Sequence, residues 1–225
     1  MKRYAIIVAG GSGTRMGAEI PKQFLILSGK PLLMYTLESF AGHSPEIKII
    51  VVLPGSHIGF WQELCTLHNF SLEHRIVEGG SIRGESVRNG IGSIDEHDAL
   101  VAIHDGVRPF ADFHTIEKAF DLASAYGTAV PGREITDTVR IIEDGQNRPF
   151  DRKMIRSIQT PQCFRLSILR DAYNSKNLQG YTDDAGLAGN MGYKIHLFEG
   201  NAENIKITTP FDLLIAEAII QSKMK

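Results

Sequence analysis

Three observations predict an α/β fold in which a mostly parallel sheet carries helices on both faces. Apolar runs rich in β-branched residues, bounded by turn residues, fall at Tyr4–Ala9, Ile47–Leu53 and Leu100–His104, the pattern of strands buried on both sides. Between them lie stretches whose apolar residues recur at helical spacing. The two kinds of segment alternate as far as Pro131, and such alternation calls for crossover connections between parallel strands.

The first helical stretch opens at Pro31, a residue suited to a first turn, and runs through PLLMYTLESF with Leu33, Leu37 and Phe40 on one side. Phe60, Leu64 and Leu67 mark the next, Val87, Ile91 and Ile94 a third, and Ile116, Phe120 and Ala123 a fourth. After Pro131 the pattern changes. Residues 132–158 alternate around Thr138–Ile142, carry turn chemistry at Asp144-Gly145, and read as a protruding β-arm or hairpin. Helical spacing returns at Leu166–Tyr173 and Asp184–Met191, and a strand-like Tyr193–Glu199 comes next. Thr209-Pro210-Phe211-Asp212 opens the last helix like a capping box with proline in the first turn. With no internal repeat, low-complexity stretch or linker, residues 1–225 read as a single domain with that arm.

Composition narrows the partners. The net charge is −2, from 24 basic and 26 acidic residues with no long run of either sign, which argues against a nucleic-acid partner. An anion bound here must be met by a few placed cations. Cys65 and Cys163 cannot build a disulfide framework or a four-thiolate zinc site, and read as reduced thiols of a cytosolic protein. The apolar run at the N-terminus is too short for a signal segment, and no stretch reaches membrane length. No membrane partner and a cytoplasmic location are expected.

Ligands of such sheets collect at the carboxyl ends of the strands, which directs attention to the residues just after Ala9 and His104. After Ala9 come Gly10, Gly11 and Gly13, able to turn successive amide N–H groups toward phosphate oxygens. A plain strand-to-helix turn uses glycines too, so the neighbours decide. Met16 stands where a dinucleotide fingerprint needs a third small residue, and the chain has no Gly-Lys-Ser/Thr as a Walker loop requires. The loop instead reads Gly11-Ser12-Gly13-Thr14-Arg15-Met16 and then Pro21-Lys22. Attack at the α-phosphorus of a triphosphate builds charge on the equatorial oxygens and the leaving pyrophosphate, where fixed cations stabilise the transition state most. Arg15 can fork two oxygens and Lys22 can act as a mobile point charge. Solvated surface cations would have no such role.

Further motifs lie in register along the chain. They are Gly79-Gly80 with Glu85-Ser86-Val87-Arg88-Asn89-Gly90, His104-Asp105-Gly106-Val107-Arg108-Pro109, Asp151-Arg152, Gln159-Thr160-Pro161-Gln162, Thr182-Asp183-Asp184-Ala185 and Asn204-Ile205-Lys206-Ile207-Thr208. In this order the chain resembles the 2-C-methyl-D-erythritol 4-phosphate cytidylyltransferase family of the non-mevalonate isoprenoid pathway, from Tyr4 to about Glu217.

That resemblance implies a Rossmann-like nucleotidyltransferase fold and a homodimer in which the arm reaches toward the partner's site. It implies transfer of CMP from CTP to methylerythritol phosphate, with release of pyrophosphate and a requirement for Mg²⁺ held mainly by phosphates and water. Arg15 and Lys22 would stabilise the pentacoordinate phosphorus. Ala9, Gly10, Gly11, Ser12, Gly13, Thr14, Gly80, Ser81 and Ser86 would surround the nucleotide. Asp105, Arg108, Thr138 and Thr182, with the cations Arg152 and Lys206, match positions that bind or orient the sugar phosphate, Arg152 and Thr182 across the dimer. Asp105 could hold an acceptor hydroxyl or a metal-bound water, or simply cap its loop. No protein cage for a metal is visible. A phosphate monoester is already largely ionised near neutral pH, so no general base is needed and all eight histidines stay outside the mechanism.

Three departures bear on substrate identity rather than on reaction class. Ser81 stands where many members carry aspartate, Gly186 where many carry serine, and Gln146-Asn147-Arg148-Pro149-Phe150 is an atypical arm sequence. A pentitol phosphate such as ribitol 5-phosphate is the alternative acceptor. A nicotinamide oxidoreductase fits less well, with Met16 in the loop and no acidic residue closing the second strand at Leu53-Pro54-Gly55. A non-catalytic nucleotide sensor would have little use for Arg15, Lys22, Arg152 and Lys206 together.

Overall fold

The computed structural model describes residues 1–11, 20–42, 44, 46–174 and 178–223. At its centre β1 (Lys2–Val8) runs parallel to β4 (Ile47–Leu53) on one side and to β6 (Ala99–Asp105) on the other, and β5 (Arg75–Glu78) extends the parallel set beyond β4. Beyond β6, β11 (Gln162–Arg165) enters antiparallel and pairs in turn with β7 (Thr128–Arg133). The short β10 (Ser157–Ile158) also runs antiparallel to β7, and β12 (Leu197–Glu199) runs parallel to it.

Alternation along the central strands splits the apolar residues between two cores. Ala5 and Ile7 of β1 and Leu100 and Ala102 of β6 face one core, with α1 (Leu32–Ala41), α2 (Gly55–Leu67) and α4 (Phe113–Tyr126). Tyr4, Ile6, Val101 and Ile103 face the other, with α3 (Arg83–Gly92), α5 (Leu166–Tyr173) and α6 (Asp184–Asn190). Helices therefore cover both faces of a mostly parallel sheet, as the sequence pattern requires. A third cluster joins Leu27, which pairs in the short ribbon of β2 (Ile26–Leu27) and β3 (Lys30–Pro31), to Val107, Phe110, Ile207 and α7 (Pro210–Lys223).

Local signals fix the ends of the elements. Asp112 caps α4 by accepting from Thr115 N at 2.7 Å, and Gly127, at φ 88°, closes it in a left-handed conformation that favours glycine. Asp212 Oδ2 accepts from the N–H groups of Thr208 and Thr209, each at 2.8 Å, which starts α7 where the capping pattern placed it. β8 (Val139–Glu143) and β9 (Gln146–Phe150) form a separate two-stranded hairpin that turns through Asp144 and Gly145, both at positive φ.

Two expectations are corrected. In α2 the stripe Phe60, Leu64, Leu67 is buried only at Leu64, which joins the fully buried Trp61 in the core, while Leu67 lies in solvent. The aromatic packing of Trp61 with Phe24 and Phe70 sets the helix's rotation. The strand expected over Tyr193–Glu199 pairs only from Leu197. Before that, Lys194 O and His196 N are taken by the Thr128 hydroxyl, at 2.8 and 3.1 Å, in place of ladder bonds. Among the described residues no helix is long and apolar enough to cross a membrane.

Candidate active site

The carboxyl ends of β1 and β6 and the loop after β5 open on a cavity of about 250 Å³. Its floor is the chain leaving β1, from Val8 to Gly11. Ala9 N donates to Val52 O at 3.0 Å and Gly106 N to Val8 O at 2.9 Å, so this turn is tied to both neighbouring strands. Glycine is needed at 106, since a Cβ there would stand 2.9 Å from Ala9 Cβ.

One wall is built of glycines and hydroxyls. Gly79 N donates to Leu53 O at 2.8 Å, Gly80 N to Ser86 Oγ at 3.2 Å, and the Ser86 hydroxyl to Ile82 O at 3.1 Å. A Cβ on Gly79 would come within 2.8 Å of Ser86 Oγ. Ser81 donates from N and from Oγ to Glu85 Oε2, at 2.8 and 2.7 Å, and these bonds hold the Glu85 carboxyl below its ordinary range. With its proton given to Glu85, the Ser81 oxygen has only lone pairs left for the cavity.

The opposite wall is charged. Asp105 Oδ2 accepts from Lys206 Nζ at 3.1 Å and from Arg108 Nε at 3.0 Å. Burial pushes the Asp105 carboxyl up, but Lys206, Arg108 and Arg83 together outweigh it and hold the group well below the usual carboxylate range. Arg108 also donates to Asn204 O at 2.8 Å, and buried Asn204 donates to Thr160 O at 2.7 Å. Thr160 Oγ accepts from Asp105 N at 3.1 Å and contacts His104 Nδ1 at 3.0 Å. His104 Nε2 reaches the Arg108 carbonyl at 2.9 Å, so Nε2 carries the proton and Nδ1 accepts from Thr160. Burial lowers the His104 pKa to about 4, which keeps the ring neutral.

Between the walls, the single turn Lys22–Phe24 presents Lys22 to the cavity. The Lys22 stem crosses Gly11 closely, its Cε lying 3.4 Å from where a Cβ would be. Phe24 anchors the turn, buried against Trp61, Phe60 and His57. Arg83, the first residue of α3, also lines the cavity. Its guanidinium forks onto the fully buried Asp184, at 2.9 and 2.7 Å, and Tyr173 donates to the same carboxylate. Burial works against the Arg83 charge, but Asp184 holds it firmly protonated and raises its pKa. Chemically, the cavity offers backbone and hydroxyl groups from Gly80, Ser81 and Ser86 with the Arg83 cation beside them, and the cations Lys22 and Lys206 elsewhere in the lining.

The family model for 2-C-methyl-D-erythritol 4-phosphate cytidylyltransferase (IspD) matches residues 4–222. The chain belongs to this family. A cytidylyltransferase of that name from Bacteroides thetaiotaomicron is 44% identical over 98% of this chain and 100% of its own length. One from Porphyromonas gingivalis is 46% identical over 98% of this chain and 99% of its own. The 4-diphosphocytidyl-2C-methyl-D-erythritol synthase structure from Anaerococcus prevotii superposes with a TM-score of 0.82 at 30% identity, over 97% of this chain and 95% of the other. The Francisella tularensis cytidylyltransferase does so with 0.81 at 30%, over 97% and 99%.

Within this cytidylyltransferase fold, Ala9, Gly10, Gly11, Lys22, Gly80, Ser81, Ser86, Asp105 and Lys206 meet around one cavity. Arg108 stands behind Asp105. Arg152 lies elsewhere, just past the hairpin, exposed and donating to Thr136 O. Thr138 and Thr182 are exposed and do not line the cavity. Ser12, Gly13, Thr14 and Arg15 lie outside the described residues. Two polar lining residues, Gln23 and Arg83, are not evident from the sequence, nor are the apolar Val8, Ile82 and Val107. The partners of Gln23 and Arg83, Ala9 and Asp184, lie 14 and 101 residues away, and only closeness in sequence to Lys22 and Gly80 points to the pair. Among the described residues no three metal-ligating side chains cluster, and Asp105 is the one carboxylate lining the cavity.

Proposed function

We propose that the protein transfers CMP from CTP to 2-C-methyl-D-erythritol 4-phosphate. An oxygen of the acceptor phosphate forms a bond to the α-phosphorus, the bond from that phosphorus to the bridging oxygen breaks, and pyrophosphate leaves with the electron pair. The observation that carries this reading is the meeting of Lys22 and the Lys206–Asp105 pair over the glycine backbone at Gly10 and Gly11. Two polyanions approach each other only where fixed cations offset their repulsion. Arg15, next to Thr14 in the same loop, is assigned the forked contact to the phosphorus oxygens. The wall of Gly80, Ser81 and Ser86 takes the nucleoside.

A single carboxylate among the described lining residues suits a Mg²⁺ that draws most of its ligands from phosphates and water, with Asp105 as a protein neighbour. The ion, when bound, supplies further neutralisation of the triphosphate. Asp105 also orients Lys206 and Arg108 toward the acceptor. Thr138, Arg152 and Thr182, which stand away from the cavity, are assigned to acceptor binding in a homodimer, with Arg152 and Thr182 supplied by the partner and the hairpin as the bridging arm. A single domain working in the cytoplasm completes the proposal.

The test is pyrophosphate release by purified protein with CTP, Mg²⁺ and each of two acceptors. Faster turnover with methylerythritol phosphate than with ribitol 5-phosphate is expected. The reverse order overturns the acceptor, and no release with either overturns the reaction.

A further inference from the structure

Gln23 sits in the turn between Lys22 and Phe24, 1% exposed, and lines the cavity. Its Nε2 donates to Ala9 O at 2.7 Å. Its Oε1 is buried and has no hydrogen-bond donor among the described residues. Buried side-chain acceptors are nearly always paired, with protein, water or ligand, and an orphan on a residue of a ligand cavity is a place that a ligand donor can satisfy. Rotating the amide gives no relief, because it would set Oε1 against the Ala9 carbonyl and orphan both oxygens.

The chemistry of the orphan restricts what it can meet. A neutral amide oxygen repels phosphate oxygens and accepts only from N–H or O–H. In the cavity the cations Lys22 and Lys206 serve the phosphates, so the donor comes from the nucleoside or from an acceptor hydroxyl, and the position of Gln23 favours the nucleoside. Ala9, which Gln23 holds, is bonded through its own N–H to Val52 on β4, the side of the glycine and hydroxyl wall. A Cβ on the next residue, Gly10, would lie 4.0 Å from Ser86 Oγ.

We infer that Gln23 is a nucleoside-binding residue, whose Oε1 accepts a hydrogen bond from the cytosine 4-amino group or a ribose hydroxyl while Nε2 fixes the glycine turn. This rests on the cytidylyl-transfer reading of the site. Two variants separate the roles. Gln23→Met is close in shape and removes both polar groups. Gln23→Glu keeps an acceptor and loses the donor to Ala9.

The experiment is kcat/KM for wild type and both variants with CTP, UTP, 2′-deoxy-CTP and 3′-deoxy-CTP at fixed methylerythritol phosphate. Each ratio between nucleotides is taken on one preparation, so partial unfolding cancels. Gln23→Met is expected to lose about tenfold on CTP and to shrink one discrimination ratio by a similar factor, while Gln23→Glu retains that ratio. Loss of the CTP-over-UTP preference assigns the bond to the base, and loss of a preference over one deoxynucleotide assigns it to that hydroxyl. Equal losses on all four nucleotides leave Gln23 as a clamp on Ala9 and overturn the inference, as does no loss at all. If wild type releases no pyrophosphate from CTP, the reading of the site fails and takes this assignment with it.

Discussion

Among the described residues no histidine lines the cavity, so its pH behaviour belongs to the substrates and to Asp105. Asp105, held ionised by its cations, does not change state near neutrality. The acceptor's second phosphate ionisation, near pH 6, does. The expected outcome is that kcat/KM for the acceptor falls as pH drops below about 6, with the same midpoint in variants of the surface histidines. A rate profile measured across pH 5–8 checks it. Lys22→Ala is expected to slow turnover by about 10²–10³-fold, the scale seen when one oxyanion-stabilising donor is removed. Buried His104 acts on stability instead. Its folded pKa of about 4 lies below the ordinary 6.5, so the neutral ring favours folding above that value, and this contribution is lost as pH falls from 6.5 toward 4. The loss amounts to at most about 3 kcal/mol. Thermal melting of wild type is expected to drop across that window more steeply than that of His104→Asn.

At the scale of elements, the turn Lys22–Phe24 shows how packing aims chemistry. Phe24 is locked among Trp61, Phe60 and His57, and that anchor fixes where Lys22 emerges. Phe24→Ala is expected to cost about 3–5 kcal/mol of stability. Below its own melting temperature, its residual turnover should fall further than its folded fraction accounts for, as denaturant titration beside activity would reveal. The central strands and the helices from α3 to α5 are legible because β-branched runs and helical spacing report burial directly. The stripe of α2 misleads in part, since the buried face is set by Trp61 with Leu64 and leaves Leu67 in solvent. The antiparallel β11 carries no local signal either. Its four residues, QCFR, join the sheet because both edges of the slot between β6 and β7 need a partner.

Across the whole molecule, the glycines, Lys22 and Lys206 can be read from the chain because each sits in a short motif. The Arg83–Asp184 fork cannot, because α3 and α6 meet only in the folded protein. That pair lies between the two helices of one core and joins the cavity wall at α3 to the segment beginning at Thr182. Asp184→Ala leaves a guanidinium partly buried without its carboxylate, and a loss of about 3–5 kcal/mol in unfolding free energy is expected. Calorimetric melting checks this. On the proposed reading, a chain of net charge −2 gathers anions by local placement, not by its overall field. The most direct test of that claim is a crystal structure with CTP bound. The triphosphate is expected over Gly10 and Gly11, within reach of Lys22, with the cytosine against Gly80 and Ser86. Phosphates turned away from Lys22, or a nucleotide bound outside this cavity, would contradict it.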